Sequence, residues 1–293
     1  MKIHNFLPLF SECLARWEKR PTLAQFTAAY YEPTSRLLGI LFDDDAGDFY
    51  SCLEDLNWDL YRAETLGLDP FKEEQRALNH LQDIERLFGF QLQGDIVLFS
   101  SFSGMDGYAR FDRGTHRVFL GVDESHGRGA YLDVLETHEL THVARESRPG
   151  VWEGFGLSPK MTHDEFTENQ PVIEHLMGEG FSCAISEILV PEQKPWAYAY
   201  QTEDSLALVY EHGPAVDREI KAELSLGLDG DYGRLYNSKR YGRGMPGFTH
   251  YVWAWQWAKA VLKDLADNDP RKLVGQCSKN FLEHAMEFEL KST

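Results

Sequence analysis

The sequence predicts a helix-rich α+β fold: a small β-sheet beside one chemically loaded helix, with flanking helical subdomains. Three observations carry that expectation. The first ninety residues read as amphipathic helices interrupted by turn residues. The period then changes, with short β-prone runs at 95–101 and 117–122. From residue 130 onward helical patterns return and continue almost to the end.

Taken in order, the first helices are expected at about 8–19, 22–40, 48–66 and 70–88, punctuated by Pro33, Gly67 and the Leu68-Asp69-Pro70 turn. Gly104, Gly107 and Gly114 lie between the two β-prone runs and read as a glycine-rich connection. A helix over 130–147 follows, then a loop containing Pro149, Gly150, Gly154 and Gly156. Pro171 opens or kinks a helix that reaches about 188. Residues 196–225 look helical, and Gly227, Gly230 and Gly233 mark turns. The stretch 248–265 is apolar almost all round and carries Trp253, Trp255 and Trp257, the pattern of a helix buried in a core. A last helix is expected at 270–289. This organisation divides into an N-terminal helical subdomain over 1–90 and a second domain over 91–293, or joins both in one unit.

Composition narrows the class of function. A chain of 293 residues with 43% hydrophobic and 13% aromatic side chains has the material for a substantial core. The net charge of −18 argues against nucleic acid and against anionic lipid, both of which need basic clusters. It fits neutral or basic peptides better. No apolar run has the length of a membrane span, and the opening residues 1–12 lack the form of a secretory signal, so a cytoplasmic location is expected. Cys13, Cys52, Cys183 and Cys277 are far apart with no C-x-x-C, which predicts free, at least partly buried thiols.

One stretch names a chemistry. His138-Glu139-Leu140-Thr141-His142 reads H-E-x-x-H within a helix-compatible segment whose Leu132, Leu135 and Val143 form an apolar stripe. Residues four apart lie on one helical face, so the two imidazoles can share a metal ion, and zinc accepts such nitrogens. Glu139 falls beside the metal, where it can take a proton from an activated water. With 11 His in 293 residues, roughly 0.04 chance matches are expected.

A catalytic zinc site needs a third protein ligand. A histidine supplied by H-x-x-G-x-x-H is excluded, because Arg145 and Arg148 stand where glycine and histidine would be required. A glutamate from a later helix is the alternative. Glu179 is the leading candidate, with Gly178 and Gly180 leaving room for an approaching helix. Glu174, His175 and Glu187 are rivals on the same segment, and His163, Asp164 and Glu168 stand further back.

The segments Thr137-His-Glu-Leu-Thr-His-Val-Ala-Arg145 and Gly178-Glu-Gly-Phe-Ser182 resemble the predicted zinc-dependent proteases of a domain-of-unknown-function group, whose pattern is H-E-x-T-H followed by E-G-x-[AS]. Pro246-Gly-Phe-Thr-His-Tyr-Val-Trp253 is similar to that group's C-terminal part, and the resemblance spans roughly residues 90–265. It implies a gluzincin-like, that is zincin-like, architecture with His138, His142 and Glu179 on the metal. One departure is visible. Thermolysin-like enzymes place an acid four residues after the ligand glutamate to orient a histidine, and Cys183 stands there instead. The imidazoles would then be fixed from elsewhere, with Asp133, Glu187 or a backbone carbonyl as candidates. An oxyanion donor is expected in the glycine-rich lead-in to the tryptophan-bearing helix, with Tyr251 first, His250 next, and Arg243 and Tyr241 as further choices.

The expected function is that of a zinc-dependent hydrolase with one zinc per chain, a metallopeptidase acting on a peptide or protein, Glu139 and Tyr251 being catalytic. An extended substrate would pair with the sheet edge near 117–122. Two alternatives belong to other classes: a binding or regulatory protein with a structural or vestigial metal site, and a metal hydrolase of a non-peptide bond. Gly242-Arg-Gly-Met-Pro-Gly247 matches G-x-G-x-x-G but follows no convincing strand, so it reads as a flexible lead-in. The acidic run 43–48 has its glycine at the wrong place for a calcium loop and reads as a solvated turn.

Overall fold

The computed structural model describes residues 1–54, 56–123 and 130–291. Among the described residues helices dominate, and one four-stranded mixed sheet accompanies them. Contacts divide the chain into two units, the first formed by residues 1–82 and 92–136, the second by 83–91 and 137–293.

The sheet belongs to the first unit. Strand β1 (Lys2–Asn5) pairs in parallel with β2 (Asp95–Phe99), β2 pairs in parallel with β4 (Thr115–Gly121), and β3 (Gly107–Asp112) closes the far side antiparallel to β4. The order is β1-β2-β4-β3. The contacts thus group β2–β4 with the N-terminal helices, whereas the sequence placed a boundary at residue 90. The physical reason is β1, whose first residues hydrogen-bond a strand ninety positions away.

Strand β2 is apolar and buried along most of its length, as an interior parallel strand should be. The expected strand at 117–122 is β4, and it is not an edge. Both of its sides are occupied, by β2 and β3, so it has no free row of backbone groups for a peptide. The edges are β1 and β3. Strand β3 occupies what the sequence presented as a glycine-rich connection. Arg113 and Gly114 both adopt positive φ (48° and 79°), the requirement of a tight two-residue hairpin turn.

Aromatic residues fill the first unit's core. Phe26, Tyr30, Phe49 and Phe102 are fully buried and meet at ring-centroid distances of 5.3–6.1 Å. Asp123 is buried beside them and accepts from Tyr61 Oη, Ser100 Oγ and the Ser101 and Phe102 backbone N–H groups. That satisfies a carboxylate that would otherwise be costly to bury.

In the second unit three helices matter most: the motif helix (Ala130–Glu146), whose residues from 137 onward belong there; the glutamate helix (Val172–Leu189); and the tryptophan helix (Thr249–Ala266). The glutamate helix is buried from Val172 to Ser186, so its polar residues have to find partners inside the protein. Trp253, Trp255 and Trp257 are buried as the pattern predicted. Their indole N–H groups donate to Asp217 (2.7 Å), Glu187 (2.9 Å) and His284 (3.2 Å). The last expected helix is broken. Asp267 and Asn268 take positive φ, and short 3-10 turns lead to a helix over only Leu282–Glu287. All four cysteines are free; Cys52 is partly exposed and the others are buried. Among the described residues, no helix is long and apolar enough to cross a membrane.

Candidate metal centre

Side-chain pairs fix how the glutamate helix meets the motif helix. Thr137 Oγ1 donates to Ser186 Oγ (2.9 Å), His138 faces Cys183, His142 faces Glu179, and Arg145 holds Glu174. One index rises as the other falls, so the two helices run antiparallel. On the opposite side, His175 meets His250, Gly180 abuts Ala254, and Glu187 meets Lys259, so the tryptophan helix runs in the same sense. A Cβ on Gly180 would sit 2.1 Å from the Ala254 carbonyl oxygen, whereas one on Gly178 would be 3.6 Å from His142 Cε1. Gly180 therefore admits the tryptophan helix, and Gly178 is the residue that faces the motif helix.

At the centre of this layer His138 Nε2 lies 3.1 Å from Glu179 Oε2 and 3.1 Å from His142 Nε2, and His142 Nε2 is 3.4 Å from the same oxygen. The edge of a coordination tetrahedron is about 1.63 bond lengths, so donors at about 2.0–2.1 Å from zinc stand about 3.3–3.4 Å apart. The three atoms have nearly that spacing. Among the described residues they form the group of His, Cys, Asp and Glu side chains able to hold a metal ion. Glu139 is buried on the motif helix but is not one of these donors.

Electrostatics agree with the geometry. Burial opposes the charge on Glu179, yet His142 and His138 outweigh it and hold the carboxyl well below its usual range. Burial keeps the His138 pKa low, favouring the neutral imidazole. Burial also works against a charged His142, but Glu179 and Glu146 lift its pKa well above the ordinary value. The site thus attracts positive charge, and a dication would compete with that proton.

Each imidazole has a partner on its far nitrogen. His142 Nδ1 is 3.3 Å from Glu146 Oε1, one turn further along the motif helix. His138 Nδ1 is 3.8 Å from Cys183 Sγ. The suggested partners are engaged elsewhere: Glu187 with Trp255 and Lys259, and Asp133 with His80 (3.2 Å) in the first unit. Glu146 was legible as the third member of a series spaced by four, His138, His142, Glu146.

The rival ligands separate cleanly. Glu174 is locked to Arg145 by two bonds, Nε to Oε1 at 2.7 Å and Nη2 to Oε2 at 2.8 Å, and both residues are about 1% exposed. His175 stands behind Glu179, with Nδ1 3.9 Å from Glu179 Oε1 and Nε2 3.3 Å from His250 Nε2. Burial depresses the His175 pKa to about 4. Asp164 and Glu168 lie on the separate helix His163–Asn169, and the His163 side chain lies outside the described residues.

Tyr251 lies at the cluster. Its ring is parallel to that of His138 with centroids 6.3 Å apart, and its hydroxyl is 3.4 Å from Tyr236 Oη. Burial, then the Glu179 charge and Tyr236, raise its pKa well above the usual phenol range, keeping the proton available for donation. His250 instead packs behind, against His175 and Tyr236. Tyr241 is buried with its hydroxyl donating to the Leu235 carbonyl, and Arg243 is exposed in the loop. Tyr200, Tyr236 and Phe248 join the site without any sequence signal. The Tyr200 ring meets His138 edge-on at 5.2 Å, and such contacts come from loops with no periodic pattern. No family model matches the chain, no curated protein matches its sequence, and no solved structure matches its fold.

Proposed function

We propose that the protein is a zinc-dependent hydrolase of gluzincin-like architecture, and more narrowly a metallopeptidase. The observation that carries this reading is the mutual spacing of His138 Nε2, His142 Nε2 and Glu179 Oε2 at 3.1–3.4 Å in a buried site. Two neutral-nitrogen donors and one carboxylate suit zinc, and three protein ligands are the catalytic pattern, whereas structural zinc sites use four. Cys183 does not make a fourth, since it faces the far nitrogen of His138. When bound, zinc would polarise a substrate carbonyl and make a water more acidic.

The chain's own residues then have distinct tasks. Glu139 takes a proton from the attacking water and returns it to the leaving amine. Tyr251 donates a hydrogen bond from its hydroxyl to the developing oxyanion. Glu146 and Cys183 hold the two imidazole rings in orientation. The test is elemental analysis of chelator-free protein together with turnover of a peptide library, with and without chelator. About one zinc per chain and chelator-sensitive cleavage are expected. A chain that takes up no transition metal, even when zinc is supplied, ends the proposal; a metal-loaded chain inert on every peptide ends only the peptidase form.

A further inference from the structure

Two bulky residues at the candidate centre sit in backbone conformations that side chains ordinarily avoid. Tyr200 has φ 54° and Phe248 has φ 53°, both in the left-handed region. Gly247 immediately precedes Phe248, so a residue suited to that region stands one position away from where it is needed. The two loops are joined by one side chain: Gln201 Nε2 donates to the Gly247 carbonyl at 2.9 Å and to the Ala199 carbonyl at 3.3 Å. The strained residues therefore flank the two ends of a single fastening. Backbone strain that is held this way points to a placement the surroundings enforce.

What is placed is an aromatic surface that runs from solvent to the metal-binding cluster. Phe248 is 45% and Tyr236 41% exposed, large values for such side chains. Their rings meet each other at 5.9 Å, and each meets Tyr251, at 5.2 Å for Phe248 and 6.4 Å for Tyr236. Tyr251 is itself stacked parallel to His138. A ligand group resting on the exposed pair is thus one aromatic ring removed from the proposed zinc ligands.

We infer that Phe248 and Tyr236 form a subsite for an aromatic side chain of the substrate, adjacent to the bond that is cleaved. An aromatic guest gains edge-to-face and offset contacts with both rings and covers apolar surface that otherwise faces water. This inference rests on the metal-site reading given above.

The test uses the zinc-loaded full chain and two probes, phenylalanine hydroxamate and glycine hydroxamate, titrated calorimetrically. The hydroxamate grips zinc in both, so their affinity ratio isolates the side chain. Phenylalanine hydroxamate is expected to bind about 10- to 100-fold more tightly. Phe248→Gly, which suits the left-handed backbone, is expected to bring the ratio to within about twofold. Phe248→Asn, also tolerant of that region, gives the same readout should the glycine variant be poorly folded. Equal affinities in the unmodified protein, or a ratio unchanged in the folded variant, overturn the inference while leaving the metal site standing. Failure of both probes to bind the zinc-loaded chain shows a metal with no open position and overturns the catalytic reading and the subsite with it, whereas a chain that cannot be loaded with zinc overturns the metal site itself.

Discussion

Replacing Glu174 by alanine is expected to destabilise the second unit severely while leaving the proposed ligands in place. Glu174 receives two short bonds from Arg145, and both side chains are about 1% exposed. Deleting the carboxylate strands a guanidinium in the interior, a change that costs about 3–5 kcal/mol in comparable buried pairs. Arg145 keeps two carbonyl partners, Leu273 O at 3.1 Å and Gln276 O at 3.0 Å, which places the expected loss near the lower end, about 3 kcal/mol. For a cooperative unit of roughly 150–250 residues that is a fall in Tm of about 6–12 °C. The assay is thermal and urea unfolding with chelator present, so that metal linkage does not contribute. Zinc titration at low temperature, where the variant is still folded, should then give an affinity close to that of the unmodified chain. Replacing both partners, Arg145→Met with Glu174→Leu, should recover most of the loss, because an apolar pair leaves no buried charge. A loss below about 1 kcal/mol for Glu174→Ala would refute the reasoning. So would loss of zinc binding in the folded variant, which would make Glu174 a ligand.

Glu179→Ala should abolish tight zinc binding and remove the zinc dependence of Tm, read by titration and thermal unfolding; an unaltered zinc affinity would exclude it from the site. Glu139→Gln should retain about one zinc per chain by elemental analysis while losing peptide turnover, and retained turnover would assign the base elsewhere. Gly180→Ala should lower stability by about 1–3 kcal/mol in urea, because its Cβ would meet the Ala254 carbonyl, whereas Gly178→Ala should be nearly neutral; the reverse order would contradict the helix packing. In the first unit, burial lowers His116 to a pKa of about 4 from the usual 6.5. The unfolded chain then binds the proton first, so stability should fall as pH drops from about 6.5 to 4, and His116→Gln should flatten that slope in acid titrations of stability.

The sequence made local faces readable and left distant partnerships unread. The pair His138 and His142 was visible because a helix brings residues four apart together, and the helix Ala130–Glu146 lies almost where its pattern put it. The same rule reaches Glu146, which continues the series and meets His142. Strands β1 and β3 escaped notice for a shared reason. One is four residues long and the other is a partly exposed edge, so neither carries an apolar run. The glycines beside Glu179 pointed to a close approach, but Gly180 admits the tryptophan helix and not the motif helix. Tyr200 and Phe248 lie in turns and Tyr236 ends the 3-10 helix Tyr232–Tyr236, and the placement of the turns depends on contacts far away in sequence, such as Gln201 with Gly247.

Arg145 makes the point most sharply. In the sequence it only closes an option, an arginine where a glycine would be needed for a third histidine to follow. In the structure it holds Glu174, about one turn from Glu179, the proposed third ligand. The antiparallel pairs 138 with 183, 142 with 179 and 145 with 174 form one register. Sliding the glutamate helix by about one turn to bring Glu174 toward His142 would leave the buried Arg145 guanidinium unpaired, at a cost of about 3–5 kcal/mol. A buried ion pair of this kind adds little net stability over a well-packed apolar pair, but it penalises a shifted register that would leave either charge unpaired. The position of Glu179 opposite two histidines is thus reinforced one turn away, by a charge whose partner lies 29 residues further along the chain, while Thr137 with Ser186 and Gly180 against Ala254 hold the same register when that pair is removed.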